Sequence, residues 1–254
     1  MATDAPDLAP LFDPRGVAFV GASDDQSRYG GRVLRYCLDG GYRGQIHVVN
    51  PKRRTVQGLP SHPHLSAVEG PVDVVVALVG PERIPELHAA AKGRARFLIA
   101  LGDVAPRESP DREARLDALK RAVEAGGPRI VGPQSIGIIL PHQRLAMSGS
   151  SALPGGLPAP GTIGFISQSG GILGGVLDRA RRLGIGFSHM VSSGLEFDLT
   201  LADYLAFMVE DERTRAIAIY AEGLGDCGRL FDLADRARER DKPILLLKPG
   251  HSKA

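Results

Sequence analysis

The feature that most constrains this chain is the run at residues 72–79, VDVVVALV, which is almost continuously apolar and rich in valine. A strand with no polar side has both faces covered, and sheets covered on both faces are built from parallel strands joined by helices. The surrounding pattern fits. Short apolar runs at 17–20, 46–49, 97–101 and 130–131, with 138–140 finishing this half, alternate with amphipathic stretches at 31–38, 81–93 and 111–125. Gly40-Gly41 and Gly126-Gly127 supply helix stops. Pro81 suits the first turn of its helix. The expectation is a doubly wound, Rossmann-like α/β domain over residues 1–147.

Residues 148–161, SGSSALPGGLPAPG, have no periodicity and read as a linker. The alternation then restarts, with strands at 163–166, 187–191, 216–220 and 244–247 and helices at 171–183, 201–209 and 230–240. This predicts a smaller, flavodoxin-like α/β domain over 162–254. Seven residues, Lys248 to Ala254, follow the last strand with no helix to cover it, so the chain reads as C-terminally incomplete.

Charge narrows the ligand classes. Lys plus Arg number 31 against 29 for Asp plus Glu, a balance that gives no basic stripe for nucleic acid but leaves room for a small anion site. Cys37 and Cys227 make neither a disulfide framework nor a metal-ligand spacing and read as two ordinary buried thiols. The start, MATDAPDLAP, has no basic or apolar leader region, and no apolar run approaches the ~20 residues that span a bilayer. A soluble, cytoplasmic protein is expected, with no metal; a homo-oligomer is left open.

In doubly wound sheets, ligands bind beyond the carboxyl ends of the strands, and the unusual residues fall there. Gly21, Ala22, Ser23, Asp24, Asp25 and Gln26 follow the first strand; they form either a phosphate-meeting helix entry or a plain turn. Asn50-Pro51-Lys52-Arg53-Arg54 follows the second, either as a phosphate contact through Lys52 or as a solvated basic loop. Ser167, Gln168, Ser169, Gly170 and Gly171 open a helix, where glycines admit a close backbone and serines add donors, making this the strongest local anion site. Glu222 ends a strand beside Gly223 and is placed to accept an imidazole N–H, or else is an exposed loop acid. His62 and His64 share a Pro-containing loop without acidic or Cys partners and read as surface residues.

Six motifs then occur in order: Leu11-Phe12-Asp13-Pro14-Arg15, Val20-Gly21-Ala22-Ser23, Val49-Asn50-Pro51-Lys52, Gly132-Pro133-Gln134-Ser135-Ile136-Gly137, Ser167-Gln168-Ser169-Gly170-Gly171 and Ala221-Glu222-Gly223. The series resembles the nucleoside-diphosphate-forming acyl-CoA synthetases, that is, the ADP-forming acetyl-CoA synthetases and the α subunit of succinyl-CoA synthetase. The resemblance implies a CoA-binding domain followed by a succinyl-CoA-ligase-like domain. It implies CoA contacts from the loop Ser23 to Gln26, from Lys52, and from Gly102 and Asp103. It implies that the Ser167–Gly171 loop faces a phosphorylated histidine steadied by Glu222. The implied reaction converts acid, CoA and ATP to acyl-CoA, ADP and phosphate through acyl phosphate and phosphohistidine, with ATP/ADP and Mg bound by a downstream ATP-grasp domain or subunit. The histidine itself would lie beyond Ala254, so His251 is not assigned its role.

Two departures bear on the substrate. Leu195 follows Ser192-Ser193-Gly194 where the family carries Asn, and Gly174 stands where succinate-using relatives carry Tyr. Gly174-Gly175 then predicts a bulkier, less polar acid than succinate. A competing reading is a CoA-sensing, non-catalytic module of a larger regulatory protein such as a lysine acetyltransferase. An NAD-dependent oxidoreductase is disfavoured, because the glycine fingerprint and its ribose-binding acid are missing.

Overall fold

A computed structural model describes residues 6–250. In chain order the elements are α1 (Ala9–Phe12), β1 (Gly16–Val20), α2 (Tyr29–Gly40), β2 (Gln45–Val49), β3 (Thr55–Val56), β4 (Leu59–His62), β5 (Val74–Ala77), α3 (Ile84–Ala91), β6 (Phe97–Ala100), α4 (Arg112–Glu124) and β7 (Arg129–Val131). They continue with β8 (Gly137–Leu140), β9 (Leu145–Ser148), β10 (Pro160–Ser167), α5 (Gly170–Arg182), β11 (Phe187–Ser192), α6 (Leu201–Glu210), β12 (Ala216–Tyr220), α7 (Cys227–Glu239) and β13 (Ile244–Leu247).

The first sheet has the order β3-β4-β2-β1-β5-β6-β7 and is parallel except for β3. β1, β5 and β6 are buried throughout, as their unbroken apolar sequences require. Because β2 and β5 lie on opposite sides of β1, the topological switch point falls at the carboxyl end of β1. α2 stops where Gly41 takes a left-handed conformation, φ 78°.

The second sheet has the order β13-β12-β10-β11-β8-β9. Its switch point lies at β10, between β11 and β12. The strand expected to finish the first half, residues 138–140, belongs here instead. β8 runs antiparallel to β11 and pairs with β9 in a hairpin. The hairpin needs one wide face covered, and α2 of the first unit packs against β9. One apolar core therefore runs from Val33, Leu34 and Cys37 through Leu145 and Met147 to Val191 and Tyr204.

Within β11, His189 is buried and its ring is tilted against that of Phe12 of α1, ring centroids 4.8 Å apart. Its Nε2 meets Asp211 Oδ2 at 3.0 Å, and Thr214 Oγ1 donates to the same oxygen at 2.7 Å. Burial raises the Asp211 pKa, but the bonds from His189 and Thr214 outweigh it and hold the carboxyl at about 2, below the usual 3.8. A depressed carboxylate stabilises the fold above pH 3.8 and loses that contribution as pH falls towards 2. The shift corresponds to about 2 kcal/mol. Acid titration followed by tryptophan-free near-UV circular dichroism should show Asp211→Asn abolishing this part of the acid transition.

Two smaller expectations need correction. Cys37 is buried, with its thiol pushed up to about 12 by burial, but Cys227 is exposed, because it opens α7 on the solvent side. His62 ends strand β4 rather than sitting in a loop. Among the described residues, no cluster of three His, Cys, Asp or Glu is placed to hold a metal. No helix there is long and apolar enough to cross a membrane.

Candidate coenzyme and phosphoryl sites

The switch point of the first sheet opens into a cleft of about 940 Å³, formed by the ends of β1, β2 and β5. Gly21, Asn50 and Lys52, three of the candidate coenzyme residues, line it. Gly21 has φ 91°, and a Cβ there would lie 2.5 Å from the Leu78 carbonyl oxygen. Only glycine lets β1 turn this close to β5. Asn50 locks the two loops together: its Nδ2 donates to the Ala22 carbonyl at 2.8 Å, and its Oδ1 accepts the Lys52 N–H at 2.9 Å.

Ser23, Asp24, Asp25 and Gln26 are not among the residues lining this cleft, and the first three are occupied with structural hydrogen bonds. Ser23 Oγ accepts the Asp25 N–H at 2.9 Å. Asp24 accepts the Gln57 N–H at 2.7 Å. Asp25 accepts from Ser27, and its pKa is lowered by those bonds. Gln26 is exposed. Gly102 and Asp103 follow β6 on the same sheet edge but do not line the cleft. The Asp103 carboxylate is taken up by Arg107 and Arg112 and by the Val104 N–H, and although burial raises its pKa these bonds lower it overall.

The sequence reading missed Arg28, His64 and Arg83, which also line the cleft, together with the acids Glu82 and Glu86. Arg28 was legible as the cation just ahead of α2. Arg83 was not, since its position depends on the 3-10 turn Pro81–Arg83 leading into α3. Neither Lys52 nor Arg83 has an ion-pair partner among the described residues, so both cations are available to an anionic ligand. One glycine-permitted backbone approach with three cations around it suits a nucleotide bearing several phosphates.

The second site lies at the switch point of the second sheet. Ser167 is buried, and its Oγ donates to the Ser169 carbonyl at 2.7 Å. Ser169 caps α5 by accepting the Ile172 N–H at 3.4 Å. Gly170 packs on Ile136, while Gly171 is open to solvent. α5 has no acid in its first turn and carries Arg179, Arg181 and Arg182 in its last, so its amino end keeps an uncompensated positive dipole.

Gln168 is the hub. Its Oε1 accepts the N–H groups of Glu222 at 2.7 Å and Gly223 at 2.9 Å. Its Nε2 donates to the Gly223 carbonyl and to Glu196 Oε1, both at 2.9 Å. Glu196, which the sequence reading did not single out, also accepts from Ser193 Oγ at 2.7 Å and has φ 54°. Loops after β10, β11 and β12 are thus tied at one point, and Glu222, whose N–H is held there, is exposed. Gln168→Ala is expected to cost about 1–2 kcal/mol through orphaned amides. Hydrogen exchange should show protection lost at Glu222 and Gly223 while the β1–β2 loops are unchanged.

The two sites flank the first turns of α2: Arg28 lines the first cleft, and Arg32 lines a second of about 580 Å³ beside Gly170, Gly171, Gly174 and Gly175. Of the Gly174-Gly175 pair, Gly175 faces open volume, whereas a Cβ on Gly174 would lie 3.2 Å from Ser150 Oγ. The lining combines the polar Arg32, Ser150 and Ser151 with Ile136 and Ala152. Gly250 is described, whereas His251 lies outside the described residues.

Two family models match. Residues 15–141 match a CoA binding domain, and residues 160–254 match a succinyl-CoA ligase like flavodoxin domain. The chain is 30% identical over 96% of its length to the ADP-forming acetate–CoA ligase I of Archaeoglobus fulgidus, covering 35% of that protein. It is 29% identical over 96% of its length to the α subunit of ADP-forming acetate–CoA ligase II of Pyrococcus furiosus, covering 52%. The solved dinucleotide-forming acetyl-coenzyme A synthetase 1 of Ca. Korarchaeum cryptofilum, in complex with phosphate and ADP, superposes with TM-score 0.87 at 30% identity, over 97% of this chain and 52% of that one. The chain therefore spans about a third to a half of the relatives it matches.

Proposed function

The chain belongs to the family that joins a CoA binding domain to a succinyl-CoA ligase like flavodoxin domain, and from that premise we propose that it is the CoA-handling part of an ADP-forming acyl-CoA ligase. The observation that carries this reading is the pairing of two anion-ready strand ends on either side of α2. The β1–β2–β5 cleft would take CoA, with Lys52, Arg28 and Arg83 meeting its phosphates and Asn50 holding the Gly21 turn open. CoA supplies the thiol that accepts the acyl group. The Ser167–Gly171 turn would present preorganised donors to a phosphorylated imidazole, which needs no rearrangement when the charge arrives. Glu222, held in place by Gln168, would accept the other imidazole N–H and fix its tautomer. ATP, Mg and the phosphorylated histidine belong, on this reading, to an ATP-grasp region and to sequence outside the described residues; the setting is cytoplasmic.

The test is CoA- and acid-dependent release of ADP from ATP by a longer protein that joins this chain to the segment carrying the phosphorylated histidine and to an ATP-grasp region, in one polypeptide or as two subunits. Glu222→Gln is expected to lower the rate on the order of a hundredfold, with CoA affinity unchanged. Tight CoA binding with no ADP release under any acid would instead favour a regulatory module.

A further inference from the structure

α5 carries glycine at positions 170, 171, 174 and 175, and glycine is the poorest helix former after proline. Packing explains two of them: a Cβ on Gly170 would lie 2.5 Å from Ile136 Cγ2, and one on Gly174 would lie 3.2 Å from Ser150 Oγ. Nothing crowds Gly175, and Gly171 has only Ser169 Oγ at 3.9 Å. These two positions face open space in the cleft between α2 and α5. On the other wall is Arg32. Among the described residues its guanidinium makes no hydrogen bond or ion pair, and its Nε is buried without a partner. The guanidinium lies over the Tyr29 ring, 5.8 Å from Cζ to the centroid. Asp178, the acid in the same cleft, is already paired with Arg181 and Arg182. A buried N–H of a charged group without an acceptor is costly unless a ligand supplies one.

We propose that this cleft receives the acyl chain of the substrate acid, and that Arg32 selects acids carrying an oxygen acceptor, hydroxyl or carboxylate, at the end remote from the reacting carboxyl. The inference rests on the ligase reading for the orientation of the acid. The reacting carboxyl lies at the α5 amino end, the chain runs along the bare Gly171–Gly175 face, and its far oxygen meets Arg32.

Calorimetric titration of the chain with free CoA, valeryl-CoA, 4-hydroxybutyryl-CoA and succinyl-CoA tests it, since the first two thioesters differ only by methyl for hydroxyl at the remote end. The expected result is 4-hydroxybutyryl-CoA binding about tenfold or more tightly than valeryl-CoA, as one charge-assisted hydrogen bond provides. Arg32→Gln should erase that ratio and leave free CoA unchanged. Gly175→Leu, which meets no clash and improves helix propensity, should weaken all three thioesters but not CoA. Preference for succinyl-CoA over 4-hydroxybutyryl-CoA identifies the acceptor as a carboxylate, and the reverse as a hydroxyl. Either order supports the proposal. A ratio within twofold in the unaltered chain, or one that survives Arg32→Gln, overturns it. If free CoA fails to bind, the ligase reading falls, and saturation-transfer NMR with free valerate and 4-hydroxybutyrate decides the cleft by itself. An Arg32-dependent signal for the hydroxy acid alone upholds the proposal, and equal signals overturn it.

Discussion

Asp198→Ala is expected to destabilise the chain by about 3 kcal/mol and to weaken the coupling between its two sheets. Asp198 sits in the loop between β11 and α6, yet its partners are on β7 of the other sheet. Arg129 Nε donates to both carboxylate oxygens at 2.9 Å, and the Ile130 N–H donates to Oδ2 at 2.7 Å. The carboxylate side chain is 12% exposed, so removing it strands a guanidinium and a backbone N–H together. Breaking such a pair from one side costs about 3–5 kcal/mol, and the half-exposed arginine puts this case at the lower end. The same loop continues the tie, with the Phe197 N–H donating to Gly132 O at 3.0 Å and the Leu195 N–H to Pro133 O at 2.9 Å. Denaturant unfolding should show the loss, and Arg129→Met with Asp198→Leu together should recover part of it. A change under about 1 kcal/mol would mean the sheets are held by their shared apolar core alone.

Gly21→Val is expected to cost about 3 kcal/mol and to remove nucleotide binding at the first cleft. The positive φ would place a β-branched side chain in a conformation costing about 1–2 kcal/mol. The Cβ would also meet Leu78 O at 2.5 Å and Val79 Cγ1 at 2.9 Å, a backbone and a cleft wall that yield only with strain of about 1–3 kcal/mol. Melting temperature reports the first effect. Binding, measured below the new midpoint, reports the second. Wild-type affinity in a folded Gly21→Val chain would show that the ligand does not approach β1.

The sequence was a good guide wherever structure is local. The run at 72–79 announced a doubly covered strand because burial on both faces leaves no room for polar side chains, and Gly41 announced the end of α2 because few residues adopt its backbone angles. It misled where pairing is distant. Nothing in residues 138–140 says that their partner is Val191 and Met190 rather than β7, since an antiparallel partner leaves no mark on the strand itself. β3, at the sheet edge, and β4 beside it are short strands without an apolar run. At the sites, Gly21, Asn50 and Lys52 converge as their strand ends required. Asp103 shows the opposite outcome: its loop is on the right edge, but two nearby arginines, Arg107 in the same loop and Arg112 at the start of α4, take its carboxylate. Glu196 was missed because its role depends on Gln168, 28 residues earlier, reaching across from β10.

Titration calorimetry of the chain with CoA, dephospho-CoA and NAD bears on all of this at once. One CoA should bind per chain, dephospho-CoA should bind severalfold to tenfold more weakly for loss of one phosphate contact, and NAD should give no heat. Lys52→Ala should shrink the difference between the two coenzyme forms. NAD binding more tightly than CoA, or CoA binding that ignores both the 3′-phosphate and Lys52, would contradict the assignment of the β1–β2–β5 cleft.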